Sequence, residues 1–177
     1  MKAAAARAKV SDPPADNVIV LFPHRRPDAR FPGLWNVVEP VALRVNTGEG
    51  WAEYERSLEL FTAEQRLAHA VLSYVCDVYE GGHRRFFHNP SGILWEDAMV
   101  GLREIGAAES AEILSEAALR AGGYPPASRA ERQRILRRLG ARFDDLDARF
   151  LSTDPLTPLE DYMKVNRAAF YFTRAPI

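Results

Sequence analysis

The strongest constraint on the fold is a series of helix starts and helix stops spaced along the chain. In a capping box, the Ser or Thr residue just before a helix accepts a hydrogen bond in its side chain from the backbone amide three residues later. A Glu or Gln side chain at that later position accepts a hydrogen bond from the backbone amide of the Ser or Thr. The sequence contains three such pairs: Thr62 with Gln65, Ser128 with Glu131, and Thr157 with Glu160, which has Pro158 at the first helical position. Glycines suited to end a helix follow three apolar segments, at Gly106, Gly122 and Gly140.

Apolar residues recur with the helical period between these signals. The pattern predicts helices over 51–61, 62–80, 92–105, 108–121, 128–140 and 143–150, and from 157 onward. Residues 34–45 also have helical spacing, although Pro40 interrupts it. The segment 62–80 has the broadest apolar surface, which is typical of a central, buried helix. The sequence therefore predicts an all-α, compact multi-helix domain.

The N-terminal part of the chain lacks this pattern. Residues 1–16 have no periodicity and are expected to be disordered, which leaves 17–177 as a single domain. The apolar run 18–22 is either a short strand or an arm lying on the helices, and the proline-rich residues 23–33 indicate an irregular loop.

The composition indicates the cellular compartment and the classes of partner. A single cysteine, Cys76, permits no intrachain disulfide, and no segment resembles a secretory signal or a membrane span. We therefore expect a soluble cytoplasmic protein with no membrane partner. The formal net charge of −1 does not indicate nucleic acid or an anionic membrane as a partner.

The segment "YEGGHRRFFHNPSG", residues 79–92, could be mistaken for an active site. Gly81 and Gly82 follow the central helix where a C-cap is expected, and the aromatic residues Phe86 and Phe87 would pack the corner onto the core. Asn89 before Pro90 is typical of a turn or an N-cap. No Gly-Lys-Ser/Thr follows the glycine pair, so a phosphate loop is excluded.

A metal site is the main alternative interpretation of this segment. His83 and His88 could bind an ion with Asp77 and Glu80, but neither HExxH nor CxxC is present and the spacing does not match known zinc motifs. We therefore predict a structural corner motif, without metal or cofactor, formed by Glu80, Gly81, Gly82, Arg85, Phe87 and Asn89.

The same segment carries a family resemblance. Together with "MVGLREIGAAESAEIL", "FDDLDARF" and "YMKVNRAAFYF", it resembles the DNA-mimic-protein-like domain, a bacterial family of largely unknown function, over about residues 50–173. The matching residues are Gly81, Gly82, Phe87, Asn89, Ile105, Gly106 and Ala107. The resemblance implies an all-helical fold, no known enzyme activity and a homodimer. It also implies an acidic face that imitates DNA and occupies a DNA-binding protein.

Three positions depart from the family pattern. Glu80 replaces asparagine, His83 replaces phenylalanine and Arg85 replaces glutamine. We expect that Glu80 and Arg85 form an ion pair across the corner in place of a neutral hydrogen bond.

The acidic groups concentrate in the middle of the chain. Residues 49–116 contain thirteen acidic and five basic groups, whereas 117–177 contain seven acidic and eleven basic groups. The spacing places Glu109, Glu112 and Glu116 on one helical face. The candidate protein-binding residues are Glu96, Asp97, Glu104, Glu109, Glu112 and Glu116. The sequence thus favours a non-catalytic protein-interaction module, with a DNA-binding regulator as one partner of unknown identity.

Two alternatives remain open at this stage. The first is nucleic-acid binding by residues 128–142, where Arg134, Arg137, Arg138 and Arg142 could follow a phosphate backbone. No interleaved aromatic residues are present there to stack on bases, so nucleic acid is the weaker hypothesis. The second is an uncharacterised enzyme, but no nucleophile and base have suitable spacing, and we predict no catalytic residue.

Overall fold

The computed structural model describes residues 32–170, and the predictions for residues 1–16 and 18–22 lie outside this range. Eight α-helices form the described part: α1 (Pro32–Ala42), α2 (Trp51–Leu58), α3 (Ala63–His88), α4 (Trp95–Glu104), α5 (Ala108–Arg120), α6 (Arg129–Leu139), α7 (Asp144–Phe150) and α8 (Leu156–Val165). Short 3-10 helices span Pro90–Leu94 and Arg167–Phe170. No strand occurs within residues 32–170, so the predicted all-α fold is confirmed.

The long helix α3 is the centre of the domain. It packs against α1, α4, α6, α7 and α8, while α5 packs on α4 and α7. Its core side chains include Val71, Leu72, Tyr74 and Val75, none of which is exposed. The broad apolar surface of this segment in the sequence therefore does correspond to a helix that is covered from several sides.

Most of the predicted helix ends are confirmed. The Thr62 hydroxyl accepts the Gln65 amide and the Gln65 side chain accepts the Thr62 amide, so the first capping box is complete. The predicted stops have the positive φ expected of glycine: 83° at Gly106, 114° at Gly122 and 57° at Gly140.

Other predicted boundaries were wrong. The third capping box does not form, because α8 begins at Leu156 and Asp154 accepts the amides of Leu156 and Thr157 instead. The second box is half formed: Ser128 accepts the Glu131 amide, but the Glu131 carboxylate pairs with Arg134. Pro40 does not interrupt α1, since it lies in the last turns of that helix.

The largest error concerns the end of the central helix. The helix was expected to end at about residue 80 with a C-cap at Gly81 and Gly82, whereas α3 kinks at these two glycines and continues to His88. Asn89 then precedes a 3-10 helix but its side chain caps no amide there.

No helix within residues 32–170 combines the length and the apolar character that a bilayer span requires.

Candidate functional site: the glycine corner and the acidic groove

The corner in α3 depends on Gly82 and on a carboxylate from α7. Gly82 has φ 72° and ψ 178°, a conformation that is essentially limited to glycine. Beyond it, the amide of His83 donates a 2.8 Å hydrogen bond to Asp147 Oδ1. The Asp147 carboxylate therefore supplies an acceptor to the first free amide of the second helical segment, as an N-cap residue does.

The imidazole of His83 lies in the core and both of its nitrogens have partners. Nδ1 is 2.5 Å from Asp147 Oδ1, and Nε2 is 2.8 Å from the hydroxyl of Tyr74. Burial lowers the pKa of His83, although the neighbouring Asp147 opposes that effect. A neutral ring that donates from Nδ1 to Asp147 accepts the Tyr74 proton at Nε2, which satisfies all three groups. This arrangement ties α7 to α3 and leaves neither ring nitrogen for a metal ion.

A second carboxylate, Asp77, holds the two sides of the corner together. It accepts hydrogen bonds from Asn89 Nδ2 at 2.7 Å, from Arg85 Nε at 3.3 Å and from the Ser91 hydroxyl. Arg85 Nη2 also lies 2.5 Å from Glu80 Oε2, so the expected ion pair is confirmed. Phe87 is completely buried beneath these polar groups.

Arg132 of α6 fixes the far side of the corner from within the core. Its side chain is almost fully buried, and its guanidinium donates only to backbone carbonyls among the described residues. The acceptors are Phe87, Asn89, Pro90, Pro126 and Ala127, at 2.7–3.3 Å. Burial lowers its pKa to about 10. An arginine in the segment considered for nucleic-acid binding is thus a structural residue.

The candidate binding residues come together in part, at a groove between α2, the start of α3, α4 and α8. Asp97 and Glu104 line this groove, and so does Glu64, which the sequence analysis missed. Its apolar part is formed by Leu58, Ala63, Leu67, Val100 and Gly101, and Arg66 and Tyr162 complete it. We call this feature the acidic groove.

The pKa shifts show that the negative charges in this region act on one another. Burial raises the pKa of Asp97, and the charges of Glu96 and Glu55 raise it further, whereas the Tyr54 hydrogen bond and Arg66 lower it. Burial together with the charges of Glu64 and Glu104 raises the pKa of Tyr162. The only cation that lines the groove among the described residues is Arg66, and its Nε donates to the carbonyl of Phe61.

The remaining candidate residues lie elsewhere. Glu109 and Glu112 are exposed on α5, and no described cation forms an ion pair with either. Glu116, expected on the same face, is bound by Arg120 of α5 at 2.5 Å and by Arg149 of α7 at 2.7 Å, so these two guanidinium groups compensate its charge. Glu96 lines a separate pocket together with Tyr124.

Glu64 and Glu55 were overlooked for a physical reason. Glu64 occupies the first turn of α3, where an acidic residue is already explained by the helix dipole. Glu55 lies on the polar side of α2, which is typical of a solvated helix face. Only the packing of α2 and α3 beside α4 brings these carboxylates near Asp97 and Glu104. No pattern within a single helix would have revealed that proximity.

The comparisons with known proteins give one match. A family model described as DMP19-like protein matches residues 59–166. The matched region extends from the end of α2 to the end of α8, and so includes the glycine corner and most of the acidic groove. No curated protein and no solved structure is significantly similar to the chain.

Proposed function

The chain belongs to the DMP19-like protein family, and from that premise we propose that it is a non-catalytic module that binds a DNA-binding protein. The family suspected from the glycine corner is the one that the match identifies. In this proposal the partner's basic, DNA-contacting surface binds to the acidic groove. The module then acts as a regulator by competing with DNA.

The observation that carries this proposal is the imbalance of charge in the acidic groove. Glu64, Asp97 and Glu104 line it, and the guanidinium of Arg66 is the one cationic group that the described residues contribute there. Among the described residues, no ion pair neutralises Glu64 or Glu104. Carboxylates held at fixed positions around a cleft attract a basic surface and accelerate its association.

The exposed apolar atoms of the groove favour a protein over a small ion as the ligand. Val100 is 59% exposed and lines the groove together with the carboxylates. Exposed apolar area combined with charged groups is typical of protein interfaces, where the apolar area is buried upon association. The long stems of lysine and arginine would cover it while their charged ends reach the carboxylates.

The arrangement of the reactive side chains supports a non-catalytic role. His83 and Tyr74, which have the chemistry of a base and an acid, are completely buried and bound to each other. A general base must reach a proton of its substrate, directly or through one water. The local structure explains these residues as links between α3 and α7.

Nucleic-acid binding by α6 has weaker support. Arg129 donates to the carbonyl of His88, Arg132 is buried, and Arg134 and Arg142 pair with acidic side chains. Arg137 and Arg138 are exposed and have no described partner. Because affinity for a nucleic acid grows with the number of phosphates neutralised, two free arginines provide little of it.

Affinity capture with DNA competition tests the proposal. The tagged protein is incubated with an extract of the cells that encode it, and the bound proteins are eluted with duplex DNA. We expect a DNA-binding protein to be retained and to be released by DNA at a moderate salt concentration. Retention of a partner that DNA does not displace would contradict the proposed competition.

A further inference from the structure

Glu96 lies at a small pocket that is distinct from the acidic groove. The pocket has a volume of about 230 Å³ and is lined by Trp51, Ile93, Trp95, Glu96, Tyr124, Pro125 and Ala127. Three of these seven residues are large aromatic residues, contributed by α2, by α4 and by the connection between α5 and α6. We call it the aromatic pocket.

The aromatic walls are held in a defined arrangement. The rings of Trp95 and Tyr124 are perpendicular, with an interplanar angle of 85° and centroids 5.2 Å apart. Trp95 is fixed by a 3.1 Å hydrogen bond from its indole N–H to the carbonyl of Pro125. Trp51 and Tyr124 are 42% and 69% exposed, so the pocket leaves aromatic surface open to a ligand.

A carboxylate completes the pocket. Glu96 lines the pocket beside Tyr124, and its carboxylate raises the pKa of the Tyr124 phenol. No cation of the described part of the chain forms an ion pair with Glu96. The negative charge of Glu96 also raises the pKa of the neighbouring Asp97. The site therefore combines aromatic rings with one negative charge that has no cationic partner within residues 32–170.

Aromatic rings around an open space, with a carboxylate beside them, form a site that suits an organic cation. The face of an indole or phenol ring attracts an ammonium or guanidinium group, and the attraction strengthens as water is excluded. A neutral apolar side chain could fill the same volume, but it would remove water from Glu96 without giving it a partner, which is unfavourable.

We propose that the aromatic pocket binds the cationic end of one lysine or arginine side chain. This inference rests on the proposed function, since the side chain would come from the basic partner protein. The pocket adjoins the acidic groove: Trp51 of the pocket contacts Tyr54, whose hydroxyl donates to Asp97 of the groove. A basic segment lying in the groove can thus place one side chain in the pocket.

A titration with amino-acid derivatives tests the pocket without the partner. The probes are N-acetyl-arginine methylamide, N-acetyl-lysine methylamide and N-acetyl-citrulline methylamide, which has nearly the shape of the arginine probe but no charge. Binding is followed by NMR through the indole N–H signals of Trp51 and Trp95. We expect saturable shifts with one or both cationic probes, and binding at least about fivefold weaker with the citrulline probe.

Two variants make the result specific to this site. Glu96→Gln removes the charge and should abolish the preference for the cationic probe, whereas Glu160→Gln, which removes only a surface ion pair with Lys164 on α8, should bind like the wild type. Circular dichroism checks that both variants are folded. Equal binding of the arginine and citrulline probes, or no shift of either indole signal with the cationic probes, would overturn the proposal.

The outcome is separable from that of the proposed function. If the probes fail to bind while charge reversal at Glu64 and Glu104 still abolishes binding of the partner, then the pocket proposal is wrong and the acidic groove stands. If the probes bind but no DNA-displaced partner is captured, then the pocket is a cation site and the proposed regulator function is wrong.

Discussion

The carboxylate of Asp147 occupies the position that a Cβ atom of residue 82 would need. An ideal Cβ built on Gly82 would lie only 2.7 Å from Asp147 Cγ, well inside van der Waals contact. The absence of a side chain at residue 82 thus allows a residue 65 positions later in the chain to accept hydrogen bonds from His83. The corner of α3 is therefore stabilised by a residue of another helix, α7.

Replacement of Gly82 should be much more harmful than replacement of Gly81. Gly82→Ala strains the backbone at φ 72° and displaces Asp147, so we expect the free energy of unfolding to fall by about 3 kcal/mol or more. Gly81 has φ −174°, outside the left-handed region, and the nearest atoms to a Cβ there belong to the side chain of Arg85, whose Cδ, 2.8 Å away, would have to shift. Gly81→Ala should therefore cost less than Gly82→Ala, about 1–2 kcal/mol. Urea denaturation measures both, and equal losses would contradict this account of the corner.

Arg132 should be essential for stability although it is an arginine on an otherwise exposed basic helix. Arg132→Met removes the donors to five backbone carbonyls in the buried corner, which should lower the free energy of unfolding by about 3 kcal/mol or more. Arg134→Met removes only a surface ion pair with Glu131 and should change stability by about 0.5 kcal/mol or less. Thermal denaturation of the two variants measures this difference. If Arg132→Met were as stable as Arg134→Met, then the structural role of Arg132 would be wrong.

The buried residue His69 should make the protein less stable in mild acid. Burial lowers its pKa from 6.5 to about 4, and its Nδ1 has no hydrogen-bond partner among the described residues. Between these values the unfolded chain binds a proton that the folded protein does not. The free energy of unfolding should therefore be unaffected above pH 6.5 and fall as the pH is lowered towards 4, by about 3 kcal/mol in total. Burial of His83 acts in the same direction.

Urea denaturation at several pH values checks the contribution of His69. His69→Leu removes the one proton that this residue takes up on unfolding. The free energy of unfolding of this variant should therefore fall less than that of the wild type between pH 6.5 and 4. His88→Gln, at an exposed position, should keep the wild-type dependence. If His69→Leu kept the full dependence, then the buried imidazole would not be its source.

The parts of the fold that could be predicted are those set by neighbouring residues. The capping box of Thr62 and Gln65 and the stops at Gly106, Gly122 and Gly140 involve contacts within one helical turn, and the structure reproduces them. By contrast, a glycine pair after a long apolar segment is compatible with a helix end or with a kink. The choice of the kink depends on Asp147, which is distant in the sequence.

The candidate site was predictable to a smaller extent. The acidic character of the middle of the chain was visible, but Glu116 is drawn into ion pairs with Arg120 and Arg149, which come from different helices. Glu64 entered the site through the packing of α3 on α4. The aromatic pocket could not be foreseen, because Trp51, Trp95 and Tyr124 belong to three segments with no shared pattern.

The central claim is that the acidic groove binds the basic surface of a DNA-binding protein. The most direct test is the dissociation constant of the captured partner for the wild type, for the double variant Glu64→Lys/Glu104→Lys, and for Glu131→Lys on α6 as the control. We predict that the double variant binds at least about tenfold more weakly while the control stays within about twofold of the wild type. Equal affinity of the double variant and the wild type would contradict the claim.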